Sequence, residues 1–311
     1  MVSLANPIFT GCATALVTPF LPSGALDEAG LRRLIARQIE AQMDALVLLG
    51  TTGEPCTLTM QERERIIDIA MQAAGGKLPV LVGTGSNDTR QAIEYARQAR
   101  RLGVQGQLCV TPYYNKTTQT GLLRHYEAIL DSCELPMIIY HVPGRTGMSM
   151  TTDTLAKLAI HPRVVGIKEA SGNLSLASEL LASVHLPLYS GNDDMTVALM
   201  AMGASGVISV CSNVAPQPMR ELTHACLSGE FDQAAAQQRA LLPLMHALFS
   251  QVNPIPAKAA LSMMGEISDV LRLPLVPMDE PHRGRLASIL REMGLLPTNA
   301  APSQPPMPFT V

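Results

Sequence analysis

Much of what this 311-residue chain lacks already narrows its function. Charged residues make up only 16% of it and the formal net charge is -3. It therefore has no basic face for nucleic acid and no charged tail for a partner. No run approaches the ~18 consecutive apolar residues of a membrane span. Residues 1–9 lack a basic segment followed by an apolar one, which points to a cytoplasmic protein without a secretory leader. Six cysteines (Cys12, Cys56, Cys109, Cys133, Cys211 and Cys226) are scattered singly, with no Cys-x-x-Cys and no histidine at ligand spacing. They read as reduced structural thiols, and no metal site is expected. Gly83-x-Gly85 opens no full dinucleotide fingerprint, and no repeat of solenoid length is visible. With 47% hydrophobic residues, the chain is expected to be compact and globular, with small neutral or anionic ligands as partners.

What is present is a rhythm. Short apolar runs bounded by turn residues recur at 12–17, 45–49, 79–82, 106–110, 137–140, 164–167, 188–189 and 207–210. Helical periodicity lies between them, as in Leu31-Leu34-Ile35-Gln38-Ile39 and Ile66-Ile67-Ala70-Met71. Eight strand-helix units in some 220 residues predict an α/β fold of the closed (β/α)8 TIM barrel type rather than a doubly wound sheet of about six strands. The barrel is expected over residues 1–230. A C-terminal helical region at 231–296 follows, with helices at 231–248, 256–264 and 283–293 after a last barrel helix at 219–227. Its methionines Met245, Met263 and Met264, like Met219 before them, read as core filler. The Pro-rich segment 297–311 is expected to be disordered.

Barrel chemistry sits at the C-terminal ends of the strands, where the following loops converge. Here those positions hold Thr18, Gly50-Thr51-Thr52-Gly53-Glu54, Tyr113-Tyr114, Tyr140-His141, Lys168-Glu169, Ser190-Gly191-Asn192-Asp193 and Ser209. Lys168 closes the apolar run Val164-Val165-Gly166-Ile167. A lone lysine at a strand end usually snorkels to water. Held in a poorly solvated position instead, it loses its proton more readily and its amine can attack a carbonyl. Tyr140 ends the preceding strand and can pass protons beside an imine. The Thr51 and Thr52 hydroxyls sit among glycines that suit an anion-binding turn. Arg145, on a Pro/Gly loop above the Tyr140 strand, can bind a carboxylate with two hydrogen bonds.

Several long motifs in order resemble the dihydrodipicolinate synthase family. They are Gly50-Thr51-Thr52-Gly53-Glu54, Tyr113-Tyr114-Asn115, Tyr140-x-Val142-Pro143-Gly144-Arg145-Thr146-Gly147, Gly166-Ile167-Lys168-Glu169-Ala170-Ser171-Gly172-Asn173 and Asn253-Pro254-Ile255-Pro256-x-Lys258. The resemblance runs from about residue 11 to 296. It implies a lyase of lysine and diaminopimelate biosynthesis that condenses pyruvate with L-aspartate 4-semialdehyde through a Lys168 Schiff base. It further implies a proton relay of Tyr140, Thr51 and Tyr114, with Tyr114 reaching a neighbouring subunit's site. Thr52 would bind the pyruvate carboxylate and Arg145 that of the semialdehyde. Ile208 would line the pocket with its backbone, with Gly191 and Asn192 as further substrate contacts. No metal or organic cofactor is implied, and family members are commonly homotetramers built as dimers of tight dimers.

Two departures from the family pattern stand out. His141 takes the place of a usual Asn, and Asn192 that of a usual Asp that would pair with the semialdehyde amino group. In feedback-inhibited members lysine binds at the tight dimer interface. The corresponding positions here are Met60, Arg63 and Gln91, with Asn87 and Tyr113 retained, so weak or absent lysine inhibition is expected. Competing readings are a sibling pyruvate aldolase, of the N-acetylneuraminate lyase or 2-keto-3-deoxy sugar acid type, and a keto-acid-binding barrel without turnover.

Overall fold

The computed structural model describes residues 7–297. Eight parallel strands close into a barrel in sequence order. They are β1 (Gly11–Ala15), β2 (Ala45–Leu48), β3 (Val80–Gly83), β4 (Gly106–Val110), β5 (Met137–His141), β6 (Val164–Glu169), β7 (Leu188–Ser190) and β8 (Gly206–Ser209), with β8 pairing back onto β1. The expected (β/α)8 barrel is therefore the observed fold. The expected disorder of 297–311 falls, apart from Pro297, outside the described residues.

The helices begin where short polar side chains satisfy the free backbone N–H groups of a first turn. Asp27 caps α1 (Glu28–Glu40), and Thr59 with Glu62 forms a capping box at α2 (Met60–Ala74). Asp88, Thr118, Thr151 and Asn173 cap α3 (Thr89–Arg101), α4 (Gln119–Ser132), α6 (Thr152–Ala159) and α7 (Leu174–Ser183). A four-residue turn of helix, α5 (Pro143–Thr146), follows β5. After α8 (Thr196–Ala201) and β8 come α9 (Pro216–Leu227), α10 (Phe231–Ala247), α11 (Ile255–Met263) and α12 (Glu280–Glu292). Leu241, Leu244, Leu261, Leu286 and Leu290 of the last three share one apolar cluster with Leu31, Ile67 and Leu46 of the barrel. The C-terminal helices thus have no core of their own. Met219 and Met245 are fully inside this cluster, in keeping with their reading as filler.

Strand alternation sorts side chains between the barrel interior and the helix layer. Ala13, Val47, Leu81, Leu108, Ile138, Tyr140, Tyr189 and Ile208 fill the interior. Tyr189 stacks on Phe9 at 4.4 Å and donates its phenol proton to the Phe9 carbonyl at 2.7 Å, plugging the lower end. Gly166 makes room for that ring, since a Cβ there would sit 3.0 Å from Tyr189.

Most strand ends fall within one residue of expectation, and two differ by two residues. The first strand stops at Ala15 rather than Val17, because the Val17 N–H leaves the ladder for the Asn213 side chain at 3.1 Å. The sixth extends two residues past Ile167. Tyr140 pairs with Lys168 and His141 with Glu169, so the ladder continues through charged residues that the apolar pattern ends before.

Candidate active site

Lys168 and Tyr140 point inward from neighbouring strands at the top of the barrel core. The lysine is 5% exposed, and its Nζ lies 4.4 Å from the centroid of the Tyr140 ring. Burial lowers the amine pKa to about 8; Arg145 pushes it the same way, and Asp193 opposes both. Burial raises the Tyr140 phenol, against smaller opposing effects of Arg145 and the Thr51 hydroxyl. The pair therefore combines an amine that is readily freed of its proton with a phenol that keeps its own.

Gly191 lets β7 approach the lysine. A Cβ on it would meet Ala170 at 2.4 Å and the Lys168 Cε at 3.1 Å. Gly191 and Asn192 line a small cavity of about 70 Å³ with Lys168, Thr51, Thr52, Tyr140 and Arg145. An adjoining cavity of about 330 Å³ shares Thr51, Tyr140 and Arg145, and continues to Cys56, Arg63, Tyr95 and Tyr113.

The turn that follows β2 presents the threonines. Gly50 O accepts from the Gly53 N–H at 2.9 Å, and the Thr18 hydroxyl donates to Gly53 O at 2.8 Å. Glu54 ends the turn in the left-handed region, at φ 53° and ψ 46°. Its carboxylate is held by Lys258 at 2.5 Å and by the Arg272 N–H at 3.2 Å, so α11 and the segment before α12 pin the turn from outside.

Of the nine residues singled out, the structure brings seven to one place. Lys168, Tyr140, Thr51, Thr52, Arg145, Gly191 and Asn192 all line the smaller cavity. Ile208 is part of the interior core, and on the β8 side the cavity wall is formed by Val210. Tyr114 is 92% exposed with φ 69° and lines neither cavity of its own chain.

The family model for the dihydrodipicolinate synthetase family matches residues 8–293. A 4-hydroxy-tetrahydrodipicolinate synthase of Trichlorobacter lovleyi is 46% identical over 93% of this chain and all of its own. The crystal structure of dihydrodipicolinate synthase from Thermotoga maritima superposes with a TM-score of 0.91 at 44% identity, covering 93% of this chain and 100% of that one. A structure of the chloride-inhibited synthase from Acinetobacter baumannii complexed with pyruvate matches equally well, with a TM-score of 0.91 at 41% identity and coverage of 92% and 99%. The chain belongs to the dihydrodipicolinate synthetase family.

Within this family frame the chain is a lyase, and its departures acquire structural meaning. His141 faces outward, and its Nε2 accepts from the Met150 N–H at 3.3 Å. The ring proton then sits on Nδ1 and is donated to Glu169 Oε1 at 3.2 Å. Glu169 also accepts from the Ser171 N–H at 2.8 Å. His141 thus ties the loops after β5 and β6 together behind the site and lines neither of the two cavities. Arg63 is buried, with its guanidinium 3.7 Å from the Tyr95 centroid and donating to Gly83 O at 2.7 Å. Burial lowers its pKa to about 10. Gln91 donates to Met60 Sδ and to the Glu94 carboxylate.

Sequence reasoning passed over two residues. Asp193 is buried, its Oδ2 accepts from the Val210 and Cys211 N–H groups at 3.1 and 2.9 Å, and its Oδ1 has no hydrogen-bond partner among the described residues. Its place next to Asn192 was the available signal. Asn253 lines both cavities, and the signal there was its position at the head of the Asn-Pro-Ile-Pro motif.

Proposed function

We propose that Lys168 forms an imine with pyruvate and that the chain condenses it with L-aspartate 4-semialdehyde to give 4-hydroxy-tetrahydrodipicolinate. The observation that carries this reading is the buried Lys168 amine in register with Tyr140 above a packed barrel core, at the wall of a cavity that also holds Thr52 and Arg145.

In this reading Nζ attacks C2 of pyruvate, and the carbinolamine loses water to give the imine. Loss of a C3 proton gives the enamine, whose C3 forms the new carbon–carbon bond to the aldehyde carbon. The amino group of the second substrate then displaces Nζ from C2, closing the ring and regenerating Lys168. Tyr140 and Thr51 pass the protons. Tyr114 joins them from a neighbouring subunit, which its exposure outside its own chain's cavity supports. Thr52 holds the pyruvate carboxylate, Arg145 receives that of the semialdehyde, and Gly191, Asn192 and the strand of Ile208 shape the wall. The assembly is a homotetramer of two tight dimers in the cytoplasm.

The test is product formation from the two substrates, coupled to NADPH oxidation by the reductase that consumes the product. Efficient turnover is expected. A folded protein that pyruvate and borohydride modify on Lys168, but that does not turn over this aldehyde, would be a sibling aldolase. One that is not modified at all would be a non-catalytic binder.

A further inference from the structure

The Asn253-Pro254-Ile255-Pro256-x-Lys258 segment carries no group for the imine chemistry, yet it reaches the cavity from the C-terminal helices. Asn253 is 5% exposed. Its Nδ2 donates to Thr52 Oγ1 at 2.9 Å, and its backbone carbonyl accepts from the Arg145 guanidinium at 3.4 Å. Its Oδ1 is buried without a hydrogen-bond partner among the described residues. One residue thus touches both groups that the reading above assigns to substrate carboxylates.

A threonine hydroxyl has one proton and two lone pairs. The Asn253 N–H occupies a lone pair of Thr52, which leaves the Thr52 proton free to be donated elsewhere. An ionised carboxylate only accepts, so the amide sets the hydroxyl in the polarity that an anion requires. We propose that Asn253 is a positioning residue that presents Thr52 as a hydrogen-bond donor to the keto-acid carboxylate. This rests on the pyruvate reading of the site.

Asn253 is itself held firmly. Lys258, one helical turn on, is fully buried, with its Nζ donating to Val270 O at 2.8 Å and paired with Glu54. Glu54 closes the turn that bears Thr52. The hydroxyl and the amide that directs it are thereby anchored to the same ion pair. A preorganised donor binds an anion without first losing rotational freedom, which favours affinity over turnover number.

A double-mutant cycle tests the inference. Asn253→Ala and Thr52→Val are made singly and together, and KM and kcat for pyruvate are measured at saturating aldehyde. Thr52→Val, which removes one hydrogen bond to a charged group, is expected to raise KM for pyruvate by about ten- to a hundredfold, and Asn253→Ala, which only frees the hydroxyl to turn, by about five- to tenfold, while kcat falls far less in both. The double variant is expected to be no worse than Thr52→Val alone. Asn253→Ser, which keeps a small donor, serves as the milder variant if the alanine form does not fold. An unchanged KM in Asn253→Ala, or a full additional penalty on the Thr52→Val background, would overturn the proposal. Borohydride trapping of pyruvate on the wild-type protein separates the two layers. An untrapped wild type ends the pyruvate reading and this inference with it, whereas a trapped wild type with an indifferent Asn253 ends the inference alone.

Discussion

Tyr140 and Lys168 are register partners on adjacent parallel strands, and the lysine Nζ lies 4.4 Å from the centroid of the tyrosine ring. Because side chains alternate across a strand, this pairing sends both groups into the barrel while His141 and Glu169, the next pair, face away and bond each other. Reactive and supporting pairs are thus set back to back by one step of the ladder.

The Lys168 amine must be unprotonated to attack a carbonyl. With its pKa lowered to about 8, the rate of imine formation should rise with pH through that value and level off above it. At pH 7 about a tenth of the amine is free, against well under a thousandth for an ordinary lysine. Stopped-flow measurement of pyruvate binding across pH 6 to 10 checks this, and an inflection near 10 would contradict it.

Tyr140→Phe removes the phenol and keeps the ring beside Lys168. The expected outcome is a fall in kcat of roughly 10²- to 10⁴-fold, the usual worth of a positioned acid-base group, with the thermal midpoint little changed. Steady-state kinetics with parallel thermal unfolding reads both. A loss under tenfold would take the phenol out of the proton path.

Lys258 and Glu54 form a fully buried ion pair, with the ammonium also 4.2 Å from the Phe20 centroid. Removing one partner strands the other charge, so Lys258→Met should destabilise the protein by about 3–5 kcal/mol. Changing both, with Glu54→Gln added, should recover part of that loss. Urea unfolding of the two variants measures the difference.

L-lysine is expected to inhibit weakly or not at all. At the positions that correspond by resemblance to the family's lysine site, Arg63 is a buried cation and the Gln91 amide has no charge to pair with an ammonium. Initial rates with increasing L-lysine decide it, and a sub-millimolar inhibition constant would refute the expectation.

Much of the site was readable along the chain because barrels place chemistry at strand ends, and strand ends are marked locally. An apolar run that stops at Lys168, a hydroxyl-rich Gly turn at 50–54 and a Pro/Gly loop around Arg145 each announce themselves within a few residues. The two outer residues of β6 were missed for the same reason, since a charged pair does not look like strand until its neighbour's ladder is seen. Ile208 was placed at the pocket by resemblance, through its backbone; its side chain belongs to the interior core, and Val210, just past the end of β8, lines the cavity.

By itself, then, the sequence determined the eightfold strand-helix order and the placing of Lys168 and Tyr140 at neighbouring strand ends, because apolar period, turn residues and caps are short-range properties of the chain. Only the tertiary structure decided that Asn253 touches Thr52 across 201 residues, that Lys258 anchors Glu54, that Arg63 is buried over Tyr95, and that Tyr114 points away from its own site. Those contacts follow from closing the barrel and packing the last helices against its rim, and no local pattern encodes which distant side chains that closure brings within hydrogen-bonding distance.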